Sequence, residues 1–150
     1  MSKQDFRPLD SHRWSARPYQ TKAGQTALAA GEICIQDTAG DEEYVLVAPD
    51  ATDSDDVWVG VTASKDTVTA SADGVVFVYD DPNTEFVGKP TTSANLATTI
   101  IGTQVTLDVA AGVQTIDEND TTKGVMKIKA YDAARNEIYF RIDPSFHING

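Results

Sequence analysis

The clearest alternation of apolar and polar positions runs through residues 123–142. Met126, Ile128 and Ala130 alternate with Lys127, Lys129 and Tyr131. After a polar break at 132–136 the alternation resumes, with Ile138, Phe140 and Ile142 on one face and Glu137, Tyr139 and Arg141 on the other. Successive strand side chains point to opposite faces, so this stretch predicts a β-hairpin with one core face and one wet face.

Shorter runs repeat the theme. Residues 32–36 and 44–48 flank a turn-forming loop and predict a second hairpin. Residues 57–62 read as a strand around Trp58, with Gly60 marking a bulge. Residues 67–70 read as a short strand. Residues 75–79, the dense run Val-Val-Phe-Val-Tyr, predict a strand buried on both faces. Residues 103–109 and 113–116 flank Ala110-Ala111-Gly112 as a further hairpin. Residues 93–100 fit a single helix of at most two turns, although Thr98, Thr99, Ile100 and Ile101 also suit a strand. Many short strands separated by turn signals predict an all-β fold, a single β-sandwich or β-barrel-like domain over residues 23–150. The 150 residues suffice to bury a core without disulfides or metal.

Residues 1–22 break the pattern. Phe6, Trp14 and Tyr19 fall at no helical or strand period, and Pro8 and Pro18 bias their predecessors away from helix. An extended N-terminal arm is expected here, ordering on a partner through its aromatics and arginines. Charge sharpens this. The chain carries −11 overall, yet residues 1–30 hold five basic and two acidic side chains. A basic arm on an acidic body points to a partner for the arm. The acidic body argues against nucleic acid, whose phosphates need a basic face. No apolar run approaches the length of a membrane span and no secretory leader opens the sequence, so a soluble chain made in the cytoplasm is expected.

Chemistry is sparse. Cys34 lies between Ile33 and Ile35 and reads as a buried, inert thiol. His12 and His147 fall in the arm and in a tail expected to be mobile, so neither offers a fixed base or metal ligand. The acidic loop at 50–56 lacks the glycine and glutamate positions of a calcium loop and reads as solvated. No nucleophile, metal or phosphate motif stands out, and neither an enzyme nor a cofactor is expected. Trp58, Tyr131 and Tyr139 are the aromatics that a sugar ring could stack on, each with a simpler role in the core or on a sheet surface.

The chain resembles the head decoration, or cement, proteins of tailed bacteriophages. The likeness rests on three stretches: the polar arm leading into Ala23-Gly24; the glycine-punctuated β-rich run from Leu28-Ala29-Ala30-Gly31-Glu32 through Val57-Trp58-Val59-Gly60-Val61 to Gly74-Val75-Val76-Phe77-Val78; and Gly102-Thr103-Gln104-Val105-Thr106-Leu107 with the hairpin that follows. The resemblance implies a non-enzymatic virion protein on the capsid exterior. It implies a homo-oligomer, a trimer by preference, that cross-links the major coat protein. Phe6, Arg7, Arg13, Trp14, Arg17 and Tyr19 then become the coat-contact candidates. The alternative is a carbohydrate-binding or adhesin-like β-sandwich of a virion or cell surface.

Overall fold

The computed structural model describes residues 6–10, 14–37, 43–50 and 52–150. It is all-β. Strands β1 (Arg7–Pro8), β2 (Arg17–Thr21), β3 (Ile33–Gln36), β4 (Val45–Val47), β5 (Trp58–Thr62) and β6 (Gly74–Tyr79) are followed by β7 (Glu85–Gly88), β8 (Gln104–Ala110), β9 (Val113–Asp117), β10 (Met126–Asp132) and β11 (Glu137–Ile142). They form a six-stranded sheet, β1-β7-β11-β10-β8-β9, and a five-stranded sheet, β2-β6-β5-β3-β4, with every strand pair antiparallel.

Both sheets curl. In the five-stranded sheet a bridge from Gln20 to Tyr44 brings the two edge strands β2 and β4 together. In the other, Lys89 and Thr91, just beyond β7, exchange backbone bonds with Ile116 of β9. Curling shortens the free edges, which otherwise invite pairing with other chains. It also makes two cores. Leu28, Cys34, Val45, Val59, Val76 and Val78 fill the inside of the five-stranded curl. Ile33, Ile35, Trp58 and Val61 look the other way and pack with Phe86, Leu107, Met126, Ile128, Ile138 and Phe140 of the six-stranded sheet. The central strand β5 is therefore buried along its whole length. Buried Gln114 of β9 joins the layers, its amide bonding the Ile33 backbone in both directions and the carbonyl of Ala48.

The opening hairpin is present as β10–β11, with one refinement. Lys129 is an extra residue between the pairs Ile128–Phe140 and Ala130–Tyr139. Such a bulge reverses the facing of everything beyond it. Tyr131, expected outside, turns in against the core, and Ala130 shares the outer side with Tyr139. The bulge expected at Gly60 is also present, opposite Cys34 and Ile35. A Cβ at Gly60 would lie 1.9 Å from the carbonyl oxygen of Tyr79, so no other residue fits there.

Four other expectations are corrected. Strand β6 is not buried on both faces: Val75 and Phe77 are 39% and 44% exposed, because no described element covers the outside of the five-stranded curl there. Residues 67–70 form no strand; the Asp66 carboxylate takes the backbone N–H of Val68 and Leu28 and the Thr21 hydroxyl, which replaces ladder pairing with a loop. In place of one helix over 93–100 there are two separate 3-10 turns, Ser93–Asn95 and Thr98–Ile100, with Leu96 and Ala97 extended between them. The tail is docked. After a 3-10 turn at Pro144–Phe146, His147 bridges to Trp58 and Ile148 donates to the Trp58 carbonyl.

The largest correction concerns the arm. Its described residues are built into the body: β1 pairs with β7 at one edge of the six-stranded sheet, and β2 pairs with β6 over its full length. Phe6 is 3% exposed and lies edge-on to Phe140 with ring centres 5.7 Å apart. Gly88 admits it, since a Cβ there would stand 2.4 Å from the Phe6 ring. Phe6 is thus a core residue, not a surface contact.

Candidate interaction surface at Trp14

Asp80 directly follows the last residue of β6, and its carboxylate is a hub. Arg17 Nε lies 2.9 Å from each oxygen, Tyr19 donates its hydroxyl to Oδ2, and Asn149 donates its side-chain amide at 3.3 Å. Sequence order explains the meeting. Arg17 and Val78 are partners in the β2–β6 ladder, which carries Arg17 to the end of β6. Asp80 is almost fully buried whereas the Arg17 side chain is 61% exposed, so this ion pair sits at the boundary of core and solvent. Burial, reinforced by the bond to Asp80, pushes the Tyr19 phenol up to about 12. The tail closes the hub from the other side. The backbone N–H of Asn149 donates to His147 Nδ1 at 3.0 Å, and burial holds the His147 imidazole below its ordinary value.

Trp14 stands beside this hub, half-buried, between two concavities. One, of about 250 Å³, is lined by Leu9, Asp10, Trp14, Asn83 and Glu85. The other, of about 420 Å³, is lined by Trp14, Ser15, Arg17, Asp80, Asp81 and Pro82. Leu9 is held over the first by its N–H, which donates to the Glu85 carbonyl at 2.8 Å, and its side chain is 49% exposed. The result is a groove with an indole and a leucine as apolar anchors and Asp10, Asp81 and Glu85 as a carboxylate rim. An aromatic face flanked by carboxylates suits an apolar or cationic side chain of a partner.

The six contact candidates separate. Trp14 and Arg17 line the groove, and Tyr19 lies beneath it on Asp80. Arg7 is elsewhere, 2.8 Å from the buried Glu137 carboxylate. Phe6 is in the core. Arg13, like His12, lies outside the described residues. Leu9, Asn83 and Glu85 were missed by sequence reasoning: no periodicity marks them, and only the bond of Leu9 to Glu85 and the approach of Trp14 bring them together as a wall.

Trp58, Cys34 and the acidic loop give no second site. Trp58 is fully buried, with its indole N–H donating to the Asp53 carbonyl at 2.9 Å, so it offers no face to a sugar. Cys34 is buried and its thiol is raised by burial, as expected of an inert cysteine. In the acidic loop Asp55 pairs with Lys123. Among the described residues no group of three or more histidine, cysteine or carboxylate side chains is placed to hold a metal, and no helix is long and apolar enough to cross a membrane. No family model matches the chain, and no curated protein matches its sequence.

Proposed function

We propose that the chain is a structural virion protein that binds the outer surface of an icosahedral phage capsid and stabilises it by linking neighbouring coat subunits. The observation that carries this reading is the groove at Trp14. The N-terminal segment is fastened at β1 and β2, one strand in each sheet, and presents Leu9 and Trp14 between those fastenings. Residues held in or next to a paired strand, as Leu9 and Trp14 are next to β1 and near β2, have less backbone freedom left to lose, so docking through them costs less than ordering a free arm at about 1–2 kcal/mol per residue. Tryptophan in a concave rim is the side chain most often found to dominate an interface. The resemblance to decoration proteins supplies the partner, a major coat protein, and a trimer, in which three such grooves would raise avidity without new contacts.

Co-sedimentation with assembled coat shells tests the proposal. The full chain is expected to bind saturably, and Trp14→Ala to bind at least about 30-fold more weakly, the effect of losing a hot spot of about 2 kcal/mol. Absence of binding by the full chain to both expanded and unexpanded shells would overturn it.

A further inference from the structure

Next to the Trp14 groove, the outer face of the six-stranded sheet carries a cationic row. Gln104 of β8, Lys127 of β10, Arg141 of β11 and Glu85 of β7 are successive cross-strand partners. Residues directly opposite one another share a face. Lys129, the bulge residue, joins Gln104, Lys127, Arg141 and Asp143 in lining a groove of about 230 Å³. Arg7, Arg17, Lys123 and Arg135 are each matched by a carboxylate. The three cations of this row are not. Lys127 and Lys129 are exposed, and their side chains make no hydrogen bond or ion pair among the described residues. Arg141 gives its bonds to the Pro82 carbonyl at 3.0 Å and the Asn83 side-chain oxygen at 3.2 Å. Asp143, the one acid of the groove, accepts from the Ser145 N–H.

The apposition of Lys127 and Arg141 does not serve the fold. Like charges directly opposite across an antiparallel pair are destabilising, and Lys127 faces Arg141. The chain has 23 acidic and 12 basic side chains, yet the two carboxylates nearest the row, Glu85 opposite Arg141 and Asp143 in the groove, form no ion pair with its cations among the described residues. An occupant bearing carboxylates would remove the repulsion. We infer that the row is a docking site for a carboxylate-rich segment of the partner protein, continuous with the Trp14 groove. Continuity comes from Arg141, whose two bonds hold Pro82 and Asn83, residues that line the concavities around Trp14. One surface then has two polarities, carboxylate-rimmed at Trp14 and cationic at Lys127, and a segment crossing it can dock in one direction only. A nucleic acid fits less well. Its phosphates would run on from three cations into Glu85, Asp10 and Asp81. The identity of the partner as a coat protein rests on the function proposed above; the chemistry of the row does not.

The test uses the full chain, isotope-labelled, titrated with a tetraglutamate peptide at low ionic strength and followed by amide chemical shifts. Shifts are expected at Gln104, Lys127, Lys129 and Arg141. They should weaken by about tenfold or more in Lys127→Glu/Lys129→Glu, and likewise on adding salt to a Debye length of about 8 Å. Lys127→Ala/Lys129→Ala, which adds no new charge, should show an intermediate loss and guards against misfolding of the reversal variant. Absence of shifts at the row, or shifts that survive charge reversal, would overturn the inference. Stronger binding of oligothymidylate at the same residues would overturn it in favour of a phosphate polymer, and self-association lost in the same variant would overturn it in favour of a second copy. Peptide binding at the row by a chain that ignores coat shells would leave the inference standing and sink the capsid reading.

Discussion

Phe6 and Trp14 belong to the same polar, proline-bearing stretch, and the fold uses them in opposite ways. Phe6 follows no strand period, yet the short strand β1 drops its ring onto Gly88 and Phe140, inside the larger core. Trp14 lies between β1 and β2 and lines an open groove instead. The difference lies in what each neighbouring strand pairs with. β1 runs along β7, whose Phe86, Val87 and Gly88 are buried, so a ring beside it is carried inward. Trp14 itself lies against the β6–β7 connection, where the wall is Asp81, Pro82 and Asn83. An aromatic in a stretch without periodicity is therefore not by itself a sign of a partner.

The largest effect should come from removing the segment altogether. A chain lacking residues 1–22 loses Phe6, the whole β2–β6 ladder and the strand that meets β4 across the curl. Total stabilities of domains are about 5–15 kcal/mol. Loss of that much pairing and packing is expected to leave no cooperative unfolding transition in urea. Phe6→Ala isolates the packing part and should cost about 3–5 kcal/mol, the usual cost of emptying a buried aromatic site. A truncated chain that unfolds cooperatively near the midpoint of the full chain would show the segment to be an appendage after all.

Asp80→Asn comes next, because it removes the charge on which Arg17 and Tyr19 converge while leaving Trp14 in place. A loss of about 2–4 kcal/mol is expected, since a buried carboxylate with several donors is being replaced. That corresponds to a fall in Tm of about 5–10 °C by thermal unfolding. Tyr19→Phe, which spares the Arg17 pair, should cost about 1 kcal/mol. Arg17 is too exposed for its ion pair to account for more than a small part of the larger figure.

Much of this architecture was legible in advance, and the failures have local causes. The β10–β11 and β8–β9 hairpins were readable because alternation and turn chemistry agreed. The bulge at Lys129 was not, because one inserted residue leaves the composition unchanged while reversing Tyr131. The dense run at β6 looked doubly buried and is not, whereas β5, interrupted by Gly60, is. A short apolar run cannot report what covers each face; only the curling of both sheets decides it. The hub at Asp80 was hidden for a different reason. Arg17 and Asp80 lie 63 positions apart, and nothing in the local pattern around either one marks the other as its partner. His147 was hidden because its tail is held by backbone bridges to Trp58 that carry no side-chain signature.

His147 gives a smaller effect, set by pH. Burial holds its imidazole below 6.5 against the pull of Asp80 and Asp81, while Arg17 pushes the same way as burial. A histidine kept neutral in the fold binds fewer protons there than in the unfolded chain. Stability is then complete above 6.5, falls as pH drops through 6.5 towards the lower folded value, and levels off beneath it. The exposed Asp73, held below 3.8 by the Ala23 N–H and the Tyr44 hydroxyl, acts in a separate and more acidic window. His147→Gln should flatten the Tm profile in the upper window and leave the lower one unchanged. A wild-type profile already flat below 6.5 would show that the tail opens to water at no cost.

Trp14→Ala should have the smallest effect on stability and the largest on binding, which is the sharpest form of the contrast with Phe6. Trp14 is half-buried against a connection, and neither hydrophobic core includes it. Truncating a side chain away from the core typically changes stability by about 0.5 kcal/mol or less. The urea midpoint of Trp14→Ala should therefore stay close to that of the full chain while shell binding is lost. Phe6→Ala should show the reverse order, with binding falling only as far as the folded fraction falls. If Trp14→Ala instead unfolds as readily as Phe6→Ala, the indole is a structural wedge between the two sheets. The groove beside it would then be a consequence of how Trp14 packs against the β6–β7 connection, and the contact with a partner would have to be sought on the cationic row alone.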